Sequence, residues 1–435
     1  MCRWRSWHRC CRTCCWCSCC CGARRACAGP REARAVLHGH SWRAWALYAL
    51  ALLAAPMLWP SSLALTLLAQ MAILSVICLS YNMLWGQGGM LSFGHAVYSG
   101  LGALATIHAM RWAGAGLLPL PLPLLPLVGA LAGLLGALLL GWVTTQRAGT
   151  ALAMISLGLG ELVLALVLMW PQVFGGEGGV SADRVYGAPW WGLDFGPARQ
   201  VYYLIAAYGL LCSGAMYAFT TTPLGRLLNA ARDNPERLAF IGYDPRWVRY
   251  LAFVLAGGFA GVGGALAAVF FEVVTAADSV SMARSGSYLL FTFLGGAGYF
   301  FGPVLGAVLL VLCTVLLSQW TPAWQLYLGL LFLAMVLWAP GGLAGLLARA
   351  GAWWRQGWAW VALGSCALLA LLGLVLLVEL AYQRQQSALL GPQLVFLGLP
   401  LDVRSPDPWG AAVLLLATGV GLWALCRRAV AGAGA

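Results

Sequence analysis

The sequence predicts an all-α polytopic membrane protein, with about ten core transmembrane segments and two extra segments at its C-terminal end. Of its 435 residues, 62% are hydrophobic and 9% are charged, whereas a soluble domain carries roughly 25% charged residues. The apolar residues also form blocks close to the roughly 20 residues that a helix needs to cross the hydrocarbon core. Together these two observations exclude an ordinary soluble protein.

The apolar blocks follow one another along most of the chain. The block at 287–319 is too long for one ordinary span, and glycines and a proline interrupt its middle. It therefore predicts two segments, of which the first is short and broken or re-entrant. Counting it twice gives twelve segments. The blocks lie near 44–60, 63–86, 91–110, 117–145, 150–170, 200–220, 249–272, 287–319, 324–347, 358–381 and 411–426.

Three regions follow from this pattern. Residues 1–40 form a low-complexity N-terminus rich in cysteine and arginine, residues 41–347 form a membrane domain, and residues 348–435 form an extension with two candidate transmembrane helices. The N-terminal region holds ten of the 15 cysteines, and its CxxC spacings would suit a metal or redox site. No histidine follows at zinc-finger distance, so we expect either translation from upstream of a true start near Val36 or a disordered basic tail. Because most of the net charge lies in this region, we infer no nucleic-acid partner.

A polar island at 221–249 interrupts the apolar blocks and holds five of the 25 arginines and three of the 13 acidic residues. Asn234 is a predicted N-cap, and Pro235 suits the first position of a helix. Gly242 can end that helix, and Asp244 repeats the start signal. The island therefore predicts two short capped helices that are presented to a partner. The apolar face of the first helix comprises Leu224, Leu227, Leu228 and Ala231.

The arginine excess of the island places it on the cytoplasmic side. Counting spans backward then puts the N-terminus inside and the loop at 171–199 outside. Counting forward, with two segments in 287–319, puts the C-terminus inside as well.

Lysine is absent, because all 25 basic residues are arginines. A P-loop requires a lysine that contacts the phosphates, so this chain cannot hydrolyse ATP as a P-loop enzyme. No catalytic spacing or metal-ligand cluster is present beyond the N-terminal cysteines. We therefore expect a transport protein, not an enzyme, with no cofactor of its own.

Polar groups enter the predicted spans at two places. The stretch Gly86–Ala96 holds four glycines, a serine and a histidine, which suits either close helix packing or an unwound stretch that lines a path. Glu161 lies in mid-span, where an acid costs at least a few kcal/mol and usually faces the protein interior. It suits either a path or a hydrogen-bonded structural role. The candidates for a translocation path are Ser92, His95, Glu161, Gly295 and Gly296.

Three motifs occur in order along the chain. The first is G-x-x-G-x-x-S-x-G-H-A over residues 86–96, and the second is G-R-x-x-x-A-x-R-D-N over 225–234, followed by Gly242. The third is G-G-x-G-x-x-x-G-P-x-x-G-A over 295–307. In these motifs the chain, from about 44 to 347, resembles the permease subunits of branched-chain amino acid type ABC importers, in particular the LivM-like branch. The N-terminal cysteine run and the residues beyond about 350 have no counterpart in that family.

The resemblance implies that 41–347 is an importer permease domain in a bacterial inner (cytoplasmic) membrane. It also implies a second homologous permease subunit, two cytoplasmic ATPase subunits that use ATP and Mg²⁺, and a periplasmic substrate-binding protein. The island then couples the permease to the ATPases, and four of its polar residues, Arg232, Asp233, Asn234 and Arg237, are expected to face the ATPase. The implied coupling residues are Leu224, Arg226, Arg232, Asp233, Asn234, Arg237 and Gly242.

Other functions remain open at this point. The same importer class could carry urea, short amides or other amino acids. An ion-coupled secondary transporter could use Glu161 and His95 as proton or ion sites, although ionisable groups within spans are few and no inverted repeat is evident. A structural or channel-like membrane protein would have no need of the capped island.

Overall fold

The computed structural model describes residues 41–186, 194–321, 323–339, 341–354, 358–385, 393–396, 399–402 and 405–432. The N-terminal region 1–40 lies outside the described residues, so its interpretation stays a prediction. The backbone is mostly helical, in agreement with the predicted all-α class.

The first helices follow the predicted apolar blocks. A π-turn at Met83–Gln87 extends α2, and the irregular backbone after it delays the start of α3 to His95, four residues later than the block at 91–110 predicts. The elements are α1 (Ser41–Leu58), α2 (Ser62–Asn82), α3 (His95–Gly114), a 3-10 turn (Leu122–Leu124), α4 (Leu125–Thr144), α5 (Thr150–Met169), α6 (Pro171–Phe174) and α7 (Ala198–Thr221).

The island folds as the sequence predicts, into α8 (Pro223–Asp233) and α9 (Pro235–Phe240), followed by α10 (Pro245–Phe271). The Asn234 side chain accepts a hydrogen bond from the Arg237 amide at 2.9 Å, and Asp244 accepts one from the Arg246 amide at 2.9 Å. Both N-caps are thereby confirmed. Gly242 follows α9 with a φ of +95°, a left-handed conformation that favours glycine.

The predicted break in the block at 287–319 is also confirmed, because α12 ends at Gly295 and α13 begins at Gly302. The remaining helices are α11 (Ala276–Ser279), α12 (Met282–Gly295), α13 (Gly302–Val311, continued by a π-turn Leu312–Leu317), α14 (Ser318–Trp320), α15 (Trp324–Trp338), α16 (Gly342–Trp354), α17 (Trp358–Gln385) and α18 (Asp407–Gly432). The short strands form two antiparallel sheets. The first joins β1 (Val180–Ser181) and β2 (Val273–Val274), and the second joins β3 (Gln393–Phe396) and β4 (Leu399–Asp402).

Within the described residues, six helices are long and apolar enough to cross a membrane, or seven if one bent pair counts as a span. The bent pair, Trp324–Leu337 with Gly342–Ala348, turns by 57° within the single block predicted at 324–347. The predicted total of twelve is therefore not confirmed. The six helices are Ser62–Gln87, Leu122–Thr144, Thr150–Met169, Ala198–Thr221, Pro245–Phe271 and Asp407–Ala424.

The described chain divides into two compact units. The first contains residues up to Thr292 together with Ala297–Val304, and α10 is its central helix. Small residues bring α10 against α3 and α4, since a Cβ on Gly102 would lie 2.4 Å from the carbonyl oxygen of Gly261. Such close backbone approach through glycine is the usual way in which membrane helices pack.

The second unit contains Phe293–Gly296 and the chain from Leu305 onward. Its helices α17 and α18 run antiparallel in close contact, because a Cβ on Gly373 would lie 2.5 Å from the amide nitrogen of Leu416. The hydroxyl of Tyr327 in α15 donates a hydrogen bond of 2.8 Å to Oε1 of Glu379 in α17. This bond satisfies a carboxylate within an apolar helix. The domain limit at 347 stays a prediction.

Candidate functional site

The irregular segment between α2 and α3, residues 88–94, is the first candidate site. Glycines before and within this segment end α2. Among them, Gly89 adopts a φ of +61°. The sequence predicts either close packing or an unwound stretch here, and the backbone is unwound. Because an unwound segment exposes peptide groups that a helix would use internally, those groups need other partners.

Side chains from three helices supply several of these partners. The Tyr81 hydroxyl donates to the carbonyl oxygen of Ser92 at 3.0 Å, and the Phe93 amide donates to Oγ of Ser156 at 2.9 Å. The Ala96 amide, in the first turn of α3, donates to Oγ of Ser285 at 3.0 Å. The segment is therefore fixed by hydrogen bonds from α2, α5 and α12.

The predicted path residues Ser92 and His95 are both fully buried. Nε2 of His95 lies 2.8 Å from Oγ of Ser80, while its Nδ1 has no partner among the described residues. Oγ of Ser92 and Oδ1 of the buried Asn82 also lack a partner there. Buried polar atoms are normally hydrogen-bonded. A cluster of unpaired ones suits a place where water or a polar substrate group binds.

Glu161 lies on the exposed face of α5, not toward the interior of this chain. Its carboxylate has no partner within the described residues. The structural role predicted for Glu161 therefore finds no hydrogen-bond partner within the described residues, and its role in a path stays a prediction. Ser156, just over one turn away on the opposite, buried face, contacts the unwound segment. The helix α5 thus has a polar residue, Ser156, on its buried face and a carboxylate, Glu161, on its exposed face.

Gly295 and Gly296 lie in the second compact unit, at the break after α12. Gly296 adopts a φ of +110°, and a Cβ there would lie 2.5 Å from the carbonyl oxygen of Gly341. Backbone occupies the space beside Gly296, so glycine is needed for packing at this position. Within the described residues no side-chain hydrogen bond reaches these two glycines, and their place in a path stays a prediction.

The island places its predicted apolar face inward, with Leu228 and Ala231 buried. Arg232 differs from its neighbours because its guanidinium donates to the carbonyl oxygen of Gly86 and to Oδ1 of Asp233. It therefore contacts its own chain and does not simply face outward. Leu224 is partly buried, and the other predicted coupling residues, Arg226, Asp233, Asn234, Arg237 and Gly242, are exposed.

Two apolar residues of the island were not among the predicted site residues. Phe240 is 90% exposed and Ile241 is 67% exposed, at the end of α9. The sequence pattern that could have identified them is a pair of apolar residues next to Gly242, the predicted end of the helix, in an otherwise charged stretch.

Comparisons with known proteins agree with the motifs. A family model described as the branched-chain amino acid transport system / permease component matches residues 63–339. The high-affinity branched-chain amino acid transport system permease protein LivM of Salmonella typhimurium is 29% identical over 321 residues, which cover 68% of this chain and 74% of that protein. Its Escherichia coli namesake is 29% identical over 289 residues, covering 62% and 67%.

A more distant relative comes from an archaeon. The probable branched-chain amino acid transport permease protein LivM of Methanocaldococcus jannaschii is 23% identical over 318 residues, which cover 62% of this chain and 89% of that protein. No solved structure matches the chain.

Proposed function

Because the chain belongs to the family of branched-chain amino acid transport system permease components, we propose that it is the membrane permease subunit of an ATP-binding cassette importer. It forms half of a translocation path for branched-chain or related amino acids. A second homologous permease supplies the other half, two cytoplasmic ATPase subunits hydrolyse ATP with Mg²⁺, and a periplasmic binding protein delivers the substrate. The complex lies in a bacterial inner membrane, with both termini of this subunit in the cytoplasm.

The exposed apolar end of the island is the observation that carries this proposal. Phe240 and Ile241 lie between Arg237 and Asp244, whose charges keep this segment out of the hydrocarbon core. Large exposed apolar side chains with polar surroundings are typical of protein interfaces. In an ATP-driven importer the partner of this surface is a cytoplasmic ATPase, since a chain without lysine holds no P-loop site of its own.

The exposed carboxylate of Glu161 supports a path between subunits. A charged side chain in mid-span is costly when it faces lipid, by at least a few kcal/mol. Because Glu161 faces away from the described part of its own chain, an aqueous path or a partner subunit accounts for its position. In this proposal Glu161 lines the path from the outward face of α5, the helix whose Ser156 contacts Phe93.

The experiment is uptake of labelled leucine into proteoliposomes that contain this chain, the second permease and the ATPases, with the binding protein added outside. We expect uptake to stop when ATP is removed and to persist with a protonophore. Uptake abolished by the protonophore would support an ion-coupled transporter. Competition by excess urea or short amides, without competition by isoleucine or valine, would reassign the substrate.

A matched pair of variants tests the island in the same complex. Phe240→Glu should reduce co-purification of the ATPases at least about tenfold, because an aromatic residue that anchors an interface contributes about 2 kcal/mol. Val185→Glu is the control, since Val185 is also exposed but lies in the predicted external loop. Equal retention of the ATPases by both variants would argue against docking at this end of α9.

A further inference from the structure

We infer that Arg232 is a positioning residue that fastens island helix α8 to the end of α2, so that movement of the island reaches the buried polar cluster around Ser92 and His95. The inference rests on the proposed function, since it describes how the island acts. It adds a connection within this chain, between the ATPase-facing surface and the unwound segment.

The first argument is electrostatic. Gly86 lies in the last turn of the π-extended α2, where carbonyl oxygens lack partners within the helix and the helix dipole is negative. Nη1 of Arg232 donates to this carbonyl. The Asp233 carboxylate accepts from Nε and Nη2 of Arg232, each at 3.1 Å. The Asp233 carboxylate thus holds the guanidinium in place, and Nη1 of the guanidinium caps the C-terminal end of α2.

The second argument is steric. A Cβ on Gly89 would lie 2.7 Å from Cγ of Arg232, and one on Gly88 would lie 3.2 Å from Cδ1 of Leu228. The stems of two island side chains therefore lie directly against the backbone of this turn. Since Arg232 and Leu228 are one helical turn apart, α8 contacts the turn along a face and not at a single point.

The third argument concerns what lies behind the contact. The turn is closed by hydrogen bonds from the Gly89 amide to the Trp85 carbonyl at 3.0 Å and from the Met90 amide to the Leu84 carbonyl at 2.9 Å. Met90 is buried. A closed and anchored turn moves as one piece, and the chain reaches Ser92 two residues later. Displacement of α8 is thereby passed to the cluster through few rotatable bonds.

A structural test does not depend on transport. In the purified permease, Arg232→Gln should raise the hydrogen-exchange rate of the amides at 88–92 about tenfold, the factor expected for the loss of one charge-assisted hydrogen bond. Arg147→Gln is the control, because Arg147 is exposed in a neighbouring cytoplasmic loop. Arg232→Lys should give an intermediate rate. Unchanged exchange in Arg232→Gln would overturn the fastening.

A functional test uses a disulfide in place of the natural contact. The Cβ of Arg232 lies 3.7 Å from the position of a Cβ on Gly89, a separation that suits a disulfide. In the reconstituted complex we expect the double variant Gly89→Cys with Arg232→Cys, with its cysteines reduced, to take up about tenfold less leucine per ATP hydrolysed than wild type. When the two cysteines are oxidised to a disulfide, this ratio should recover. Each single cysteine variant, treated alike, is the control and should not respond.

The two levels of failure are distinguishable. If the wild-type complex lacks ATP-driven uptake, the proposed function fails, and the exchange experiment still decides whether Arg232 fastens the turn. If wild type transports leucine but the double variant has the same uptake per ATP when reduced and oxidised, the transmission role of Arg232 is refuted while the proposed function stands.

Discussion

The two glycine-rich breaks, at 86–94 and at 295–302, have similar compositions but are filled differently. In the first, side chains add to close backbone contacts: a Cβ on Gly94 would lie 2.6 Å from the Ser156 carbonyl oxygen, and side chains of α2, α5 and α8 also hydrogen-bond to backbone groups there. In the second, backbone meets backbone, because a Cβ on Gly342 would lie 2.5 Å from both the nitrogen and Cα of Gly296. A cluster of glycines therefore predicts that a helix is interrupted, but not what occupies the interruption.

This difference has a mechanical consequence. A break that is held by side chains can exchange one set of hydrogen bonds for another, and it can be tuned by substitution of those side chains. A break that is held by direct backbone contact has little freedom, because close-packed interiors do not deform gradually. The transmission proposed above is therefore expected at the first break, and rigid packing is expected at the second.

The largest predicted effect is at the second break. Gly296→Ala should destabilise the protein by on the order of 3 kcal/mol, because it combines a strained φ of +110° with a Cβ placed 2.5 Å from the Gly341 oxygen. A melting curve of the detergent-solubilised protein measures this loss. Gly298→Ala is the matched control, since a Cβ there has no heavy atom within 4 Å. Similar melting of both variants would contradict backbone packing at Gly296.

A smaller effect is expected in the first break. Ser156→Ala removes the acceptor of the Phe93 amide and should cost about 1–2 kcal/mol, the usual penalty for leaving a buried donor unpaired. The control is Ser287→Ala, whose exposed hydroxyl bonds only to the Ala283 carbonyl of its own helix. If Ser156→Ala melts like the control, side-chain hydrogen bonds are not what stabilise this break.

Local features of the molecule could be predicted from the sequence. The caps at Asn234 and Asp244 depend on residues two or three positions away, so a short stretch contains all the information. The apolar face of α8 is similarly local, because helical periodicity alone places Leu228 and Ala231 together. The break after Gly295 was visible as a proline and several glycines in one overlong apolar block.

The contacts that define the candidate site could not be predicted in this way. Ser285 is 189 residues from its partner Ala96, and Arg232 is 146 residues from Gly86. Nothing near either residue in sequence identifies the other, because tertiary packing decides which helices meet. The outward direction of Glu161 is another case, since the apolar residues on all sides of α5 give no clear inner face.

The smallest predicted effect compares two glycines with left-handed backbones. Gly89→Ala and Gly116→Ala should each cost about 1–2 kcal/mol for the unfavourable φ alone, since these angles are +61° and +75°. Gly116 has no neighbour within 4 Å, whereas a Cβ on Gly89 would lie 2.7 Å from Cγ of Arg232, so the Arg232 side chain must shift. In melting curves, Gly89→Ala should therefore destabilise the protein by about 0.5 kcal/mol more than Gly116→Ala, the lower end of the cost of an off-rotamer side chain. A loss at Gly89 as large as that at Gly296 would mean that the first break is packed as rigidly as the second, and the distinction between them would fail.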